Sequence, residues 1–186
     1  MRSGDLNFCT ISALALMTIL TLFLQFSIAD AGMKSPPPEK AKVVIIGDRI
    51  VDIAYNLGVL PEAMSVRGGL WPMSKKLKTV SQILGCPKCV TKKRKNAVPD
   101  ALSRFNIKRV IISKNNNPYC LYKPEIKPIN VLPLLKGQDV DIQYVDFSKG
   151  LESAIYQTAK LLNVESKADA LIQSYRKDLQ KTKQMI

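Results

Sequence analysis

The chain has 186 residues, with 28 Lys and Arg against 15 Asp and Glu and no histidine. A net charge of +13 suits anionic partners, while the lack of histidine removes imidazole-based triads and the commonest protein ligand for zinc, copper and nickel. Gly68-Gly69 is an isolated pair rather than a phosphate-cradling loop, and paired carboxylates at a usable spacing are hard to find among so few acids, so the sequence points away from an enzyme.

Arg2 precedes an apolar stretch from Ile11 to Ile28, closed by Ala29-Asp30-Ala31 with small residues where a signal peptidase reads. Residues 1–31 are therefore expected to be a cleaved secretory signal. The competing reading is an uncleaved anchor, since ~18 apolar residues can cross a bilayer. Cys9 lies ahead of the apolar run and would leave with it. Cleavage after Ala31 leaves 155 residues, one modest domain. Without Arg2, Asp5 and Asp30, 27 cations face 13 carboxylates.

Residues 32–42, with Pro36-Pro37-Pro38, read as an extended leader. Val43 to Ile46 is an unbroken apolar run, which predicts a strand buried on both faces of a parallel sheet. Asp48 is placed to cap a helix carrying Ile50, Ile53, Ala54 and Leu57, which Gly58 ends. Met64 to Val66 predicts a second strand leading into the loop around Gly68, Gly69 and Trp71. Helical spacing of Leu77, Val80, Ile83 and Leu84 predicts a helix from Ser74 to Leu84.

From Ala63 to Pro99 there are nine Lys or Arg and no acid. Such a patch gathers anions, or is a solvated face that confers solubility. In an exported chain without interleaved aromatics, nucleic acid is not the expected partner; an anionic small ligand or an anionic membrane surface is. Pro99 predicts a helix through Phe105, Arg109 to Ser113 a buried strand, residues 115–128 a loop, and Asp141 to Phe147 a further strand. A helix with Leu151, Ala154, Ile155, Thr158 and Leu162 on one face is broken at Asn163. A last helix from Glu165 carries Ala168, Leu171, Ile172, Tyr175, Leu179 and Met185 as an apolar stripe to the end of the sequence. That stripe calls for cover from the domain's own flank, a second copy or a partner. Strands alternating with helices predict an α/β fold, a single three-layer lobe with a mostly parallel sheet, followed by a long C-terminal helix.

The tract from Val43 to Gly68, with its helix ending in Leu57-Gly58, resembles the opening of class III periplasmic substrate-binding proteins of ABC importers for ferric siderophores, haem and cobalamin. Residues 150–181 are similar to that family's later helix, turn and long backbone helix, with Asn163 where glycine is usual. The resemblance implies a substrate-binding lobe over residues 43–163 and a linker helix over 164–186, without the second lobe. It implies a periplasmic, non-enzymatic transport role with an ABC permease as partner and an iron-siderophore, haem or cobalamin-type metal complex as ligand. By carry-over, Arg67, Gly68, Gly69 and Trp71 sit on the loop after the second strand, where Trp71 offers a ring face and Arg67 a charge to an anionic substituent. Tyr119 and Tyr122 would line the same rim. A lone tryptophan is more often a packing residue than a ligand platform, and that reading of Trp71 stands beside the other. Asp100 falls where the family carries a permease-docking acid, although a carboxylate near a helix N-terminus is favourable in any case. The Pro-Asp pair that often precedes the matching strand is replaced by Ile107-Lys108.

Three cysteines remain after cleavage: Cys86, Cys89 and Cys120. In an oxidising compartment thiols pair, so Cys86 bonded to Cys89 or Cys120 as a structural crosslink is one reading. A soft-metal site of three thiolates, with Lys88, Lys92 and Lys93 lowering the thiol pKa values, is another. Thiol exchange is the third; here proline follows the first cysteine, unlike thioredoxin-type motifs. A cysteine-based soft-metal or redox module on the same scaffold is thus the alternative function.

Overall fold

Val43, Val44, Ile45 and Ile46 are all 0% exposed, with Val43 and Ile45 in one apolar cluster and Val44 and Ile46 in the other. Successive strand side chains point to opposite faces, so an apolar run without alternation requires cover on both sides. The computed structural model describes residues 38–69, 71–115 and 124–185. It places this run within β1 (Glu39–Ile46), the middle strand of a sheet ordered β3-β2-β1-β4-β5. The partners are β2 (Val59–Ser65), β3 (Gln82–Ile83), β4 (Arg109–Lys114) and β5 (Asp141–Asp146), and every pairing is parallel.

Each face has its own roof. On one, α1 (Asp48–Asn56), α4 (Leu151–Leu161) and the start of α5 (Ala168–Gln184) cover Val43 and Ile45 through Ile50, Ile53, Ala154, Ile155 and Ile172. The short α2 (Met73–Leu77) adds Leu77 to the same cluster. On the other, α3 (Ala97–Arg104), a π-helical turn (Cys89–Lys93) and a 3-10 run (Pro128–Leu135) cover Val44 and Ile46 through Val98, Leu102, Val90, Val131 and Leu135. The chain is therefore a three-layer α/β lobe with a parallel sheet and a C-terminal helix. No helix among the described residues is long and apolar enough to cross a membrane.

Several elements depart from the sequence-based expectation. The helix predicted over 74–84 stops at Leu77, and the chain instead adds β3 beside Ala63 and Met64. The Ser81 hydroxyl donates to the Pro61 carbonyl at 2.7 Å and the Leu84 amide to Met64 O at 2.8 Å, so pairing with β2 overrides helical periodicity. β2 starts at Val59, earlier than expected, and its Pro61 pairs with Ala41 just where the β1 register shifts, a place where a strand tolerates proline. Asp48 does not cap α1; it is the first helical residue and its carboxylate binds Arg67. Asn163 turns the chain at φ 58, the left-handed conformation that glycine adopts freely and asparagine tolerates. The apolar stripe of α5 is covered at Ala168 and Ile172 and partly at Leu171. Tyr175, Leu179 and Met185 are 37%, 42% and 79% exposed.

Candidate functional site

Parallel strands bring their carboxyl ends to one edge, here Ile46, Ser65, Ile83, Lys114 and Asp146. β1 leads to β2 on one side, whereas β4 joins β1 on the other, so the strand order reverses at β1, the place where open α/β sheets bind ligands. Gly47 stands at that point with φ 130 and donates its amide to Ser65 O at 3.0 Å. A Cβ on Gly47 would lie 2.7 Å from Ser113 Cβ, so only glycine lets β1 and β4 close this tightly.

The β2 exit folds back onto α1. The buried Asp48 carboxylate accepts the Arg67 backbone amide at 3.0 Å and forms an ion pair with the Arg67 guanidinium. Arg67, expected to face an anion, thus has its charge balanced within the lobe. Trp71 is 8% exposed and belongs to the core beneath α1, its indole Nε1 donating to Asp52 Oδ1 at 3.3 Å. Between them the Gly68 carbonyl accepts from the Ser74 hydroxyl at 2.8 Å. Gly68 and Gly69 are exposed, and nothing stands within 4 Å of a Cβ placed on Gly69. Of the residues predicted on this loop, the structure therefore brings Arg67 and Trp71 onto α1 and leaves the glycine backbone at the tip. Across the edge, the Arg49 guanidinium stacks on Phe147 after β5, 5.8 Å from the ring centroid.

The β3 exit carries the cysteines and lysines. Ser65 Oγ donates to Gly85 O at 2.8 Å, and Arg94 Nη2 to Leu84 O at 2.7 Å, which ties this loop to the sheet. The Cys86 and Cys89 thiols are free, with Cys86 Sγ donating to Cys89 Sγ at 3.5 Å. Burial pushes the Cys86 thiol above its ordinary value, against the hydrogen bonds from the Cys89 and Lys88 backbone amides that lower it. Beyond the turn, Lys92, Lys93, Arg94, Lys95, Asn96, Ala97 and Asp100 line a concavity of about 510 Å³. Asp100 is exposed in the first turn of α3 and shares this basic hollow. No group of three or more Cys, Asp or Glu side chains among the described residues is placed to hold a metal ion. Tyr119, Cys120 and Tyr122 lie outside the described residues.

Asp48, Ser65, Gly85 and Arg94 hold the edge together; the sequence marked Asp48 only as a helix cap and gave the other three no role at the edge. Their partners are 19, 20, 20 and 10 residues away respectively, and no local periodicity encodes a contact of that range. The one signal that was present is Gly85 directly before Cys86.

No family model matches the chain, and no curated protein matches it. Among solved structures it is similar to the periplasmic haem-binding protein BhuT in complex with two haems, holo-2 form. The TM-score is 0.51 and the identity 18%, over 77% of this chain and 49% of that one. The chain thus spans about half the length of that protein, and at this identity the likeness is one of fold: a parallel α/β lobe followed by a helix.

Proposed function

We propose that the chain is an exported substrate-binding lobe, or a single-lobe relative of such receptors, serving ABC-dependent uptake of an iron-siderophore, haem or cobalamin-type metal complex. The observation that carries this reading is the carboxyl edge of the sheet: its loops converge at the strand-order reversal, on a fold like that of a periplasmic haem-binding protein. The chain acts by holding its ligand rather than by chemistry. Exposed backbone at Gly68 and Gly69 lets a flat ring approach closely, and Arg67, fixed by Asp48, sets the loop's orientation. Trp71 supports the loop from beneath. The basic hollow at Lys92 to Lys95 raises the local concentration of a carboxylate-bearing ligand. Asp100 meets a cationic surface of the permease, and the exposed Tyr175–Leu179–Met185 stripe receives a second lobe or copy.

The test is a titration of Trp71 fluorescence, from the only tryptophan in the chain, with haem, cobalamin and ferric siderophores. Saturable quenching by one class, weakened in an Arg67→Ala variant, is expected. Absence of quenching by all three in a monodisperse sample overturns the reading.

A further inference from the structure

We propose that Cys86 and Cys89 form a reversible dithiol–disulfide couple at the carboxyl edge, which exchanges with low-molecular-weight disulfides of the glutathione type. The inference stands apart from the ligand reading, since it uses only the loop after β3. The two sulfurs are 3.5 Å apart. A disulfide is ~2.0 Å long, so each sulfur needs to move by roughly 1 Å or less to bond. Two residues, Pro87 and Lys88, separate the pair, and both cysteines are half-buried, within reach of a small molecule.

The loop is built to hold them there. Val90 donates to Cys86 O at 3.1 Å, while Arg94 donates its amide to Cys89 O at 2.8 Å, the wider spacing of the π turn. Thr91 Oγ1 donates to Pro87 O at 2.7 Å. Gly85 has φ +104, and a Cβ there would stand 2.5 Å from Arg94 Nη2 and 3.0 Å from Cys89 Cβ. Glycine at 85 is therefore what allows Cys89 and the Arg94 guanidinium to pack against the backbone that precedes Cys86. Arg94, at the far end of the turn, is tied back to Leu84 O, and Gly85, before its start, is tied to Ser65 on the sheet. Closure of the disulfide thus needs side-chain rotation inside a fixed frame.

The hydrogen bond sets the order of events. The Cys86 thiol donates to the Cys89 sulfur, so Cys89 is assigned as the attacking atom. Cys89 as thiolate attacks one sulfur of the small disulfide, forming a mixed disulfide and expelling one thiolate. Cys86 then loses its proton to solvent and attacks the Cys89 sulfur. The second thiolate leaves, and the protein has lost two electrons to the small disulfide, which becomes two thiols.

The full chain, equilibrated in reduced and oxidised glutathione at graded ratios, quenched with acid and alkylated, tests this by peptide mass spectrometry. The expected result is a loss of about 2 Da on the peptide joining Cys86 and Cys89, reversed by reduced glutathione and retained in a Cys120→Ser variant. Cys86→Ser should accumulate a stable glutathione adduct on Cys89, and Cys89→Ser should react at least 10-fold more slowly. Both thiols remaining reduced at every ratio, a disulfide that includes Cys120, or a persistent glutathione adduct in the unmodified chain overturns the proposal.

Discussion

The two roofs of the sheet are made differently. Over Val43 and Ile45 lie three α-helices whose apolar residues recur at regular spacing, with the short α2 beside them. Over Val44 and Ile46 lie one α-helix, a π turn and a 3-10 run interrupted by Pro133. Both cores are closed, yet the second is closed by backbone that cannot be extended as regular helix, and it carries the thiol pair and the basic hollow. Irregular cover turns polar groups outward, where ligands and reagents can meet them.

The comparison breaks most sharply at adjacent residues on opposite faces. Ile45→Ala and Ile46→Ala should each cost about 2–5 kcal/mol by urea unfolding, the range for an emptied core site. A loss under about 1 kcal/mol for Ile46→Ala alone would show that the irregular roof collapses into the space. Next in size is Gly47→Ala, at the joint between the two halves of the sheet. Its φ of 130 and the 2.7 Å approach to Ser113 predict destabilisation, by about 1–3 kcal/mol from backbone strain alone. Urea denaturation of this variant at neutral pH reads it directly.

Arg94→Ala removes the bond to Leu84 O and should cost about 1–2 kcal/mol. Its effect should be local, seen as faster amide exchange at Val90 and Arg94 with no change in α1 or α4. The smallest effect is with acid. The Arg176 hydrogen bond holds Glu152 below its ordinary value, as Lys108 does for Asp139 and the Ser148 amide for Asp146. Each carboxyl then binds protons more readily when unfolded, so this stability is present above the ordinary carboxylate values and is lost as pH falls through the lowered ones. The urea midpoint should therefore decline gently below about pH 4.5, the ordinary value for Glu152, and these surface pairs are screened enough that salt should flatten the decline.

The same division decided what could be read in the sequence. β1 and β4 were legible because Val43 to Ile46 and Val110 to Ile112 are apolar without interruption, which only a doubly covered sheet accommodates. α1, α4 and the turn at Asn163 were legible from apolar spacing and one residue tolerant of positive φ. β3 was not, because Leu77, Val80, Ile83 and Leu84 satisfy a helical period while Val80 is 46% exposed and Ile83 pairs with β2. The 3-10 run was not read at all, since Pro128 and Pro133 erase any regular period. At the edge, the loop bearing Arg67 and Trp71 was found, but its internal pairing with Asp48 and Asp52 was not. Charge and aromaticity mark a residue as useful; whether it faces ligand or neighbour depends on contacts 19 residues away.

The central claim is that ligand is met at the carboxyl edge of the sheet, and amide-resolved NMR during titration with haem tests it most directly. Perturbed resonances should gather at residues 47–49, 65–69 and 84–97. Changes confined to the opposite edge, around Asn106–Lys108 and Gly137–Val140, or no changes up to saturating haem, cobalamin and ferric siderophore, would contradict it.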